Sequence, residues 1–507
     1  MTKKTLILIG FILIKFLLQY LLFNPHYDLH RDEYLHLDQA NHLAWGFLSV
    51  PPVTSWISYI IKVLGNGVFW IKFFPALFGA LTIVVVWKTI EELKGNLFAL
   101  ILGATCVLFS ALLRLNFLLQ PNSFDVLCWT TFYFVLIKYI NTENVKWLFI
   151  GSFVFAIGFL NKYNIAFLLV GLFPAILLTD QRKVFAKKEF YFAITFGLLL
   201  ILPHLLWQYN NGFPVFHHLK ELADTQLVNV NRFDFLKEQL LFFFAALPVI
   251  AASLYALLFH KPFKKFRLFF GTIIFTLIVF IYFKAKSYYA IGLYPIYISF
   301  GSVFLADKLT TGWKKYIQPI LIAVPIIFYF LFFNIISIKA PDYYIKNQSK
   351  FKELGLLRWE DGKDHSLPQD FADMLGWKEL AEKVDVVYNK LPNKDQTIIV
   401  CDNYGQAGAI NYYSKNKNVK AVSFNADYIN WFNLDTKIQN LIRVKELDDS
   451  DDELEETSPF FETAYRADSI SNSLAREYRT TIFVFSNPKI DINQRLKTEV
   501  DKKKNYR

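Results

Sequence analysis

Two adjacent carboxylates beside an arginine stand out early in the chain, Arg31-Asp32-Glu33, inside the run His30-Arg-Asp-Glu-Tyr-Leu-His36. A carboxylate in a partly desolvated site takes a proton from an acceptor hydroxyl, and a neighbouring cation helps hold a phosphate. The same run also fits a structural role, with Asp32 capping the helix that follows. A second acidic group, Asp125, closes the run Gln120-Pro-Asn-Ser-Phe-Asp. A carboxylate at a helix start is ordinary by itself. The cations of interest are Lys162 in Asn161-Lys-Tyr-Asn164, and Lys284 and Lys286 in Lys284-Ala-Lys-Ser-Tyr-Tyr289. Lysines next to interfacial tyrosines commonly snorkel to water. Grouped on one membrane face, Lys162, Lys284 and Lys286 with Tyr288 and Tyr289 would instead bind a phosphate or pyrophosphate headgroup at lipid depth.

Other chemistries have weaker signals. His204, Trp207, His217 and His218 fall in or beside one long loop, but adjacent histidines seldom converge on one ion. The three cysteines, Cys106, Cys128 and Cys401, form no cluster. The acidic run Glu446 to Glu456 lacks the ligand spacing of a calcium loop and reads as solvated. No metal site or cofactor is therefore predicted, although a divalent metal is not excluded. There is no glycine-rich nucleotide loop and no Walker motif, which favours a donor delivered within the membrane over a soluble nucleotide sugar.

These groups need elements to position them, and composition says which. Of 507 residues 54% are hydrophobic, with 53 Phe and 27 Tyr, and the mean hydropathy is +0.30. Long continuous apolar runs make this a polytopic α-helical membrane protein. Eleven spans are expected at about 5–23, 67–89, 96–113, 123–140, 146–161, 164–179, 190–207, 239–259, 268–283, 290–306 and 317–337. The first lacks a small-x-small cleavage site and reads as an uncleaved helix. Lys15 interrupts it, at a cost of about 3 kcal/mol unless it faces the bundle.

The most basic loops are alternate ones and so all fall on one side of the membrane, beginning with Lys3 and Lys4 and including Lys261 to Arg267. That is the positive-inside pattern, so the net charge of +11 is a topology signal and not a nucleic-acid footprint. It predicts a cytoplasmic N-terminus and, with an odd helix count, an extracytoplasmic C-terminus. It also places Asp32, Asp125, Lys162 and Lys286 on the same outer face. Loop 24–66 is long and partly amphipathic, with interfacial helices expected at 36–48 and 53–64. From about Ile338 the composition becomes that of a soluble domain. Helices are expected at 377–391 and 404–413, and strands at 397–401 and 480–485. The division is a transmembrane domain, 1–337, and a soluble extracytoplasmic α/β domain, 338–507.

The run Arg31-Asp-Glu-Tyr-Leu-His, then Gly46-Phe47 and Pro51-Pro52, resembles the first extracytoplasmic loop of GT-C glycosyltransferases. The branch is that of protein O-mannosyltransferases and lipid A aminoarabinose transferases, a phospholipid-carrier-dependent, glycosyltransferase family 39-like group. Gln120 to Asp125 is similar to the family's second acidic motif, and Leu160-Asn-Lys-Tyr163 to its Leu-Thr-Lys-Tyr, with Asn161 departing from Thr. Trp207-Gln, Asn211 to Pro214, Lys286 to Pro295 and Asn403 to Ile410 extend the likeness over nearly the whole chain.

The resemblance implies an inverting transfer of a sugar from a polyprenyl-phosphate donor to a lipid, glycan or protein acceptor at the outer face of the inner membrane. Asp32 would be the base, and Glu33 and Asp125 would orient groups in the cavity. Arg31, Lys162, Tyr163, Lys284, Lys286, Tyr288 and Tyr289 would bind substrate, chiefly the lipid phosphate. A transporter or flippase would need inverted repeats and broken helices in matching halves, which the sequence lacks. A glycan polymerase or ligase on the same fold stays open, and so does an envelope scaffold acting through its tail.

Overall fold

The computed structural model describes residues 1–331, 338–416, 418–446 and 452–505. Every expected apolar run is helical, the eleventh as far as Leu331; its continuation to 337 lies outside the described residues. Among the described residues six helices are long and apolar enough to cross a membrane: Lys3–Leu21, Val68–Glu92, Pro121–Thr142, Lys188–Asn210, Ser287–Lys308 and Gly312–Leu331. Two more spans result if bent pairs are counted as one each, Tyr163–Leu177 with Asp180–Ala186 and Arg232–Phe242 with Phe244–Phe259. The expected eleven thus become six to eight by length. The difference lies in Leu97–Leu108, Lys146–Phe159 and Leu268–Tyr282, of 12, 14 and 15 residues, against the roughly 20 that a 30 Å hydrocarbon core requires.

Lys15 faces the bundle. It is 2% exposed, and its Nζ donates to Asn116 Oδ1 at 2.9 Å. The charge sits in a polar contact between helices and not against lipid, which relieves much of its insertion cost.

After the bundle the chain builds a five-stranded sheet: β1 (Thr397–Cys401), β2 (Ala421–Ser423), β3 (Asn440–Lys445), β4 (Phe461–Ser469) and β5 (Thr481–Pro488). The order is β2-β1-β3-β5-β4, with β1 parallel to β2 and β3, and β5 antiparallel to β3 and β4. The helices Trp377–Lys390 and Tyr404–Tyr413 and the strand β1 lie where periodicity puts them. β2 has three residues and β4 is a mostly exposed edge, so neither carries a strong apolar pattern. Of the acidic run, 447–451 lie outside the described residues, and Glu453 is buried 3.4 Å from Arg443.

The helix Arg31–Gln39 joins the two halves. It was expected near 36–48 but starts five residues earlier, because His30 and Glu33 form a capping box. The His30 ring accepts from Asp32 N at 3.2 Å, and the Glu33 carboxylate accepts from His30 N at 2.8 Å. This motif satisfies otherwise orphaned backbone donors. Asp32 is therefore not the cap, and its side chain is released for another use.

On its far face this helix packs against Tyr404–Tyr413. A side chain at Gly405 would bring its Cβ to 2.5 Å of Arg31 Cγ, and one at Gly408 to 2.7 Å of Tyr34 Cβ. Only glycine permits so close an approach. Asp38 accepts from Asn411 Nδ2 and Tyr428 Oη, both at 2.7 Å, and Gln39 Nε2 donates to Asp427 at 2.8 Å. Tyr34 meets the rings of Trp377, Tyr412 and Tyr413. One buried apolar cluster runs through both halves, so the change of composition near 338 is not a break in packing.

Candidate active site

The junction encloses a cavity of about 690 Å³. Its walls are the start of Arg31–Gln39, loop 48–50, the helix ends around Leu112–Asn122, Lys162, one face of Pro214–Thr225, the segment 286–291 and loops of the sheet domain.

At one end stands Asp32. Tyr404 Oη donates to its Oδ1 at 2.6 Å, and Gln120 Nε2 donates to its Oδ2 at 2.8 Å. Arg31 Nε lies 3.9 Å away, and the guanidinium sits 5.1 Å above the Tyr404 ring. Glu33 points the opposite way. It is fully buried, both its oxygens receive Lys72 Nζ at 2.8 Å, and Leu119 N donates to Oε1 at 2.8 Å. The two neighbouring carboxylates thus part company: Asp32 faces the cavity and Glu33 clamps the helix to the bundle.

At the other end is a lysine held by a ladder between two motifs. Asn161 Nδ2 donates to Pro121 O at 2.9 Å, Lys162 Nζ to Asn122 Oδ1 at 2.7 Å, and Asn164 Nδ2 to Asp125 Oδ2 at 3.0 Å. Three side chains within residues 161–164 thus meet Pro121, Asn122 and Asp125 of the other motif, in the same order along the chain. Asn161 also accepts from Thr54 Oγ1 at 3.2 Å, tying in the helix Val53–Val63. Asp125 is 4% exposed, bonds to Trp129 Nε1 at 3.1 Å and does not line the cavity. Through Asn164, which also donates to Tyr289 O at 2.7 Å, it secures the wall behind Lys162. Lys162 Nζ lies 5.0 Å and 4.5 Å from the rings of Tyr288 and Tyr289. Lys286 reaches the same cavity and donates to Gln226 and to Glu360, a residue of the polar half of the chain.

Residues 49–207 match the family described as dolichyl-phosphate-mannose-protein mannosyltransferase. That segment holds Asp125 and Lys162 but begins after Asp32. The crystal structure of ArnT from Cupriavidus metallidurans bound to undecaprenyl phosphate matches with a TM-score of 0.62 at 13% identity, covering 95% of this chain and 98% of that one. The apo state of the same protein gives the same figures. The chain therefore has an ArnT-like fold. No curated protein sequence matches it.

The expected site residues divide into two groups. Arg31, Asp32, Lys162, Lys286, Tyr288 and Tyr289 line one cavity. Glu33, Asp125, Tyr163 and Lys284 do not. Tyr163 is tied to His204 Nε2 at 2.8 Å and to Gln208 Nε2 at 2.9 Å. Lys284 ends the helix Leu268–Tyr282 in a left-handed conformation, φ 51°, so its sequence proximity to Lys286 does not bring it to the cavity. Among the described residues no three His, Cys, Asp or Glu side chains converge as a metal site.

Burial opposes charge on Asp32, but His30, Arg31, the Tyr404 hydroxyl and His36 outweigh it and hold its pKa below the usual carboxylate range. The side chain is still one-third exposed, so cavity water screens part of that field. His36 moves down because burial disfavours its cation.

Gln120, Arg114, Glu360 and Tyr404 also line the cavity, and reading by sequence gave none of them a role in the site. Arg114 sits 3.3 Å from Asp370 and over the Phe371 ring. Tyr404 had a usable signal, since it opens a helix directly after a buried strand, where open α/β sheets bind ligands. Glu360, in a polar loop, had none.

Proposed function

We propose that this protein is an inverting glycosyltransferase that moves a sugar from a polyprenyl-phosphate donor to a lipid, glycan or protein acceptor at the outer face of the inner membrane. One observation carries the reading: a single cavity in an ArnT-like fold holds an oriented carboxylate, Asp32, together with the lysines Lys162 and Lys286. Asp32 takes the acceptor hydroxyl's proton as the acceptor oxygen bonds to the anomeric carbon. The bond from that carbon to the phosphate oxygen breaks on the opposite face, and polyprenyl phosphate departs with the electron pair. A carboxylate kept so acidic receives the proton only as the attacking oxygen becomes acidic, late in bond formation. Lys162, Lys286 and Arg31 stabilise the phosphate where negative charge gathers. Tyr288 and Tyr289 hold Lys162 in place, while Glu33 and Asp125 keep the two frames rigid.

The test is mass spectrometry of envelope lipids and glycans from cells expressing the protein, the Asp32→Asn variant, or neither. The expected result is a sugar-sized mass increment present only with the unmodified protein. Profiles identical in all three strains would overturn the assignment.

A further inference from the structure

We propose that Tyr404 is a positioning residue for sugar transfer, through which the sheet domain orients Asp32. The inference rests on Asp32 being the base. Its grounds are geometric. A carboxylate offers about four lone-pair positions on two oxygens. Tyr404 Oη takes one on Oδ1 at 2.6 Å and Gln120 Nε2 one on Oδ2 at 2.8 Å. The two donors come from the two halves of the chain, so the carboxylate plane is pinned between the sheet domain and the bundle. Asp32 lines the cavity and its side chain is one-third exposed, so the carboxylate is still reachable from there.

Topology points the same way. β1 lies between β2 and β3, both parallel to it. Open sheets bind ligands beyond the carboxyl ends of such strands, where the connections diverge to opposite sides. The segments following β1 and β2 supply Tyr404, Asn425 and Ala426 to the cavity wall. The domain therefore presents its binding edge to the bundle and is no remote appendage.

Packing leaves Tyr404 little freedom. The next residue, Gly405, lies against the stem of Arg31, and Gly408 against Tyr34, which sets the spacing of the two helices. Burial raises the Tyr404 pKa and Asp32 adds to that, against the opposing pull of Arg31, so the hydroxyl stays protonated as a donor.

The experiment uses the full chain in nanodiscs as wild type, Tyr404→Phe and Asp32→Asn. A hydrophobic carbodiimide modifies protonated carboxyls, so labelling of the Asp32 peptide against pH, read by mass spectrometry, follows Asp32 itself. Transfer in membranes is followed over the same pH range, and undecaprenyl phosphate binding by native mass spectrometry reports an intact fold. Loss of one charge-assisted hydrogen bond should move the labelling midpoint of Tyr404→Phe upward by about one pH unit and slow transfer about tenfold. Its acid limb should move to higher pH, and undecaprenyl phosphate binding should stay within about twofold. An unchanged midpoint would overturn the inference, whether transfer is normal or falls together with binding. Normal transfer by Asp32→Asn would instead remove the base assignment on which the inference rests.

Discussion

The lysine end of the cavity is assembled from neighbours, while the carboxylate end is assembled from strangers. Lys162 is held by the Asn161–Pro121, Lys162–Asn122 and Asn164–Asp125 ladder, in which two short motifs meet side by side. Asp32 is held by Gln120, 88 positions away, and by Tyr404, 372 positions away. A ladder of local motifs tolerates the loss of one rung, because the others keep the register. A carboxylate pinned by two distant donors has no such redundancy. The comparison predicts that the carboxylate end is the more sensitive of the two.

Its sharpest test is within the carboxylate end. Asp32→Asn should lower transfer by roughly 10²- to 10⁴-fold, the usual range for a general base, with thermal stability little changed. Glu33→Ala should do the reverse in kind. It leaves Lys72 buried without its partner, which costs about 3–5 kcal/mol of stability, and it should appear as a lost or much lowered unfolding temperature in detergent. If Asp32→Asn unfolds the protein and Glu33→Ala merely slows it, the two roles are the wrong way round. The pH response follows from the same geometry. A carboxylate with a depressed pKa keeps its proton-accepting form as pH falls, so the acid limb should lie below the usual carboxylate range, near pH 4. Transfer rates from neutral pH down to about pH 5 would show a plateau; a decline within that window would mean Asp32 is not held as described.

Lys162→Met probes the lysine end. Removing one preorganised cation from a developing phosphate charge costs about 10²-fold in turnover, less than the upper range for Asp32. Measured kcat against undecaprenyl phosphate affinity would separate the two contributions. A loss larger than that of Asp32→Asn would reverse the comparison.

The same contrast explains what could be read from sequence. The lysine end was partly legible, because Lys162 and Lys286 sit in short motifs at helix ends, although the same reading included Lys284, which does not line the cavity. The spans were legible as apolar runs, but their lengths were not: Leu97–Leu108 stops after 12 residues, short of the run expected to reach 113. Asp32 was visible as a residue type, but its separation from Glu33 was not, since it depends on His30 acting as the cap. A ring nitrogen is an unusual cap, and the common expectation assigns that role to Asp. Tyr404 and Glu360 reach the site only through tertiary packing of the sheet domain on the bundle, for which hydrophobic period carries no information. The glycines of Asn403 to Ile410 hinted at close approach without saying to what; Gly405 against Arg31 supplies the answer.

The smallest predicted effect concerns Glu360. Its carboxylate pairs with Lys286 and also receives Gln369 Nε2 at 3.2 Å. Burial opposes its charge, but Lys286 and Gln369 hold its pKa down, so it stays an anion. A lipid phosphate approaching Lys286 must compete with it. The pair is 38% exposed on the Glu360 side, and partly exposed pairs contribute about 1 kcal/mol or less. Glu360→Gln should therefore tighten undecaprenyl phosphate binding by no more than about fivefold, with the gain shrinking as salt is raised. Lys162 donates its hydrogen bond to neutral Asn122, so removing that contact with Asn122→Ala should not tighten binding. Titration of undecaprenyl phosphate against both variants at low and high salt checks this directly. Weaker binding by Glu360→Gln would mean that the carboxylate keeps Lys286 oriented for the phosphate and does not compete with it, which would make the lysine end as dependent on the sheet domain as the carboxylate end is.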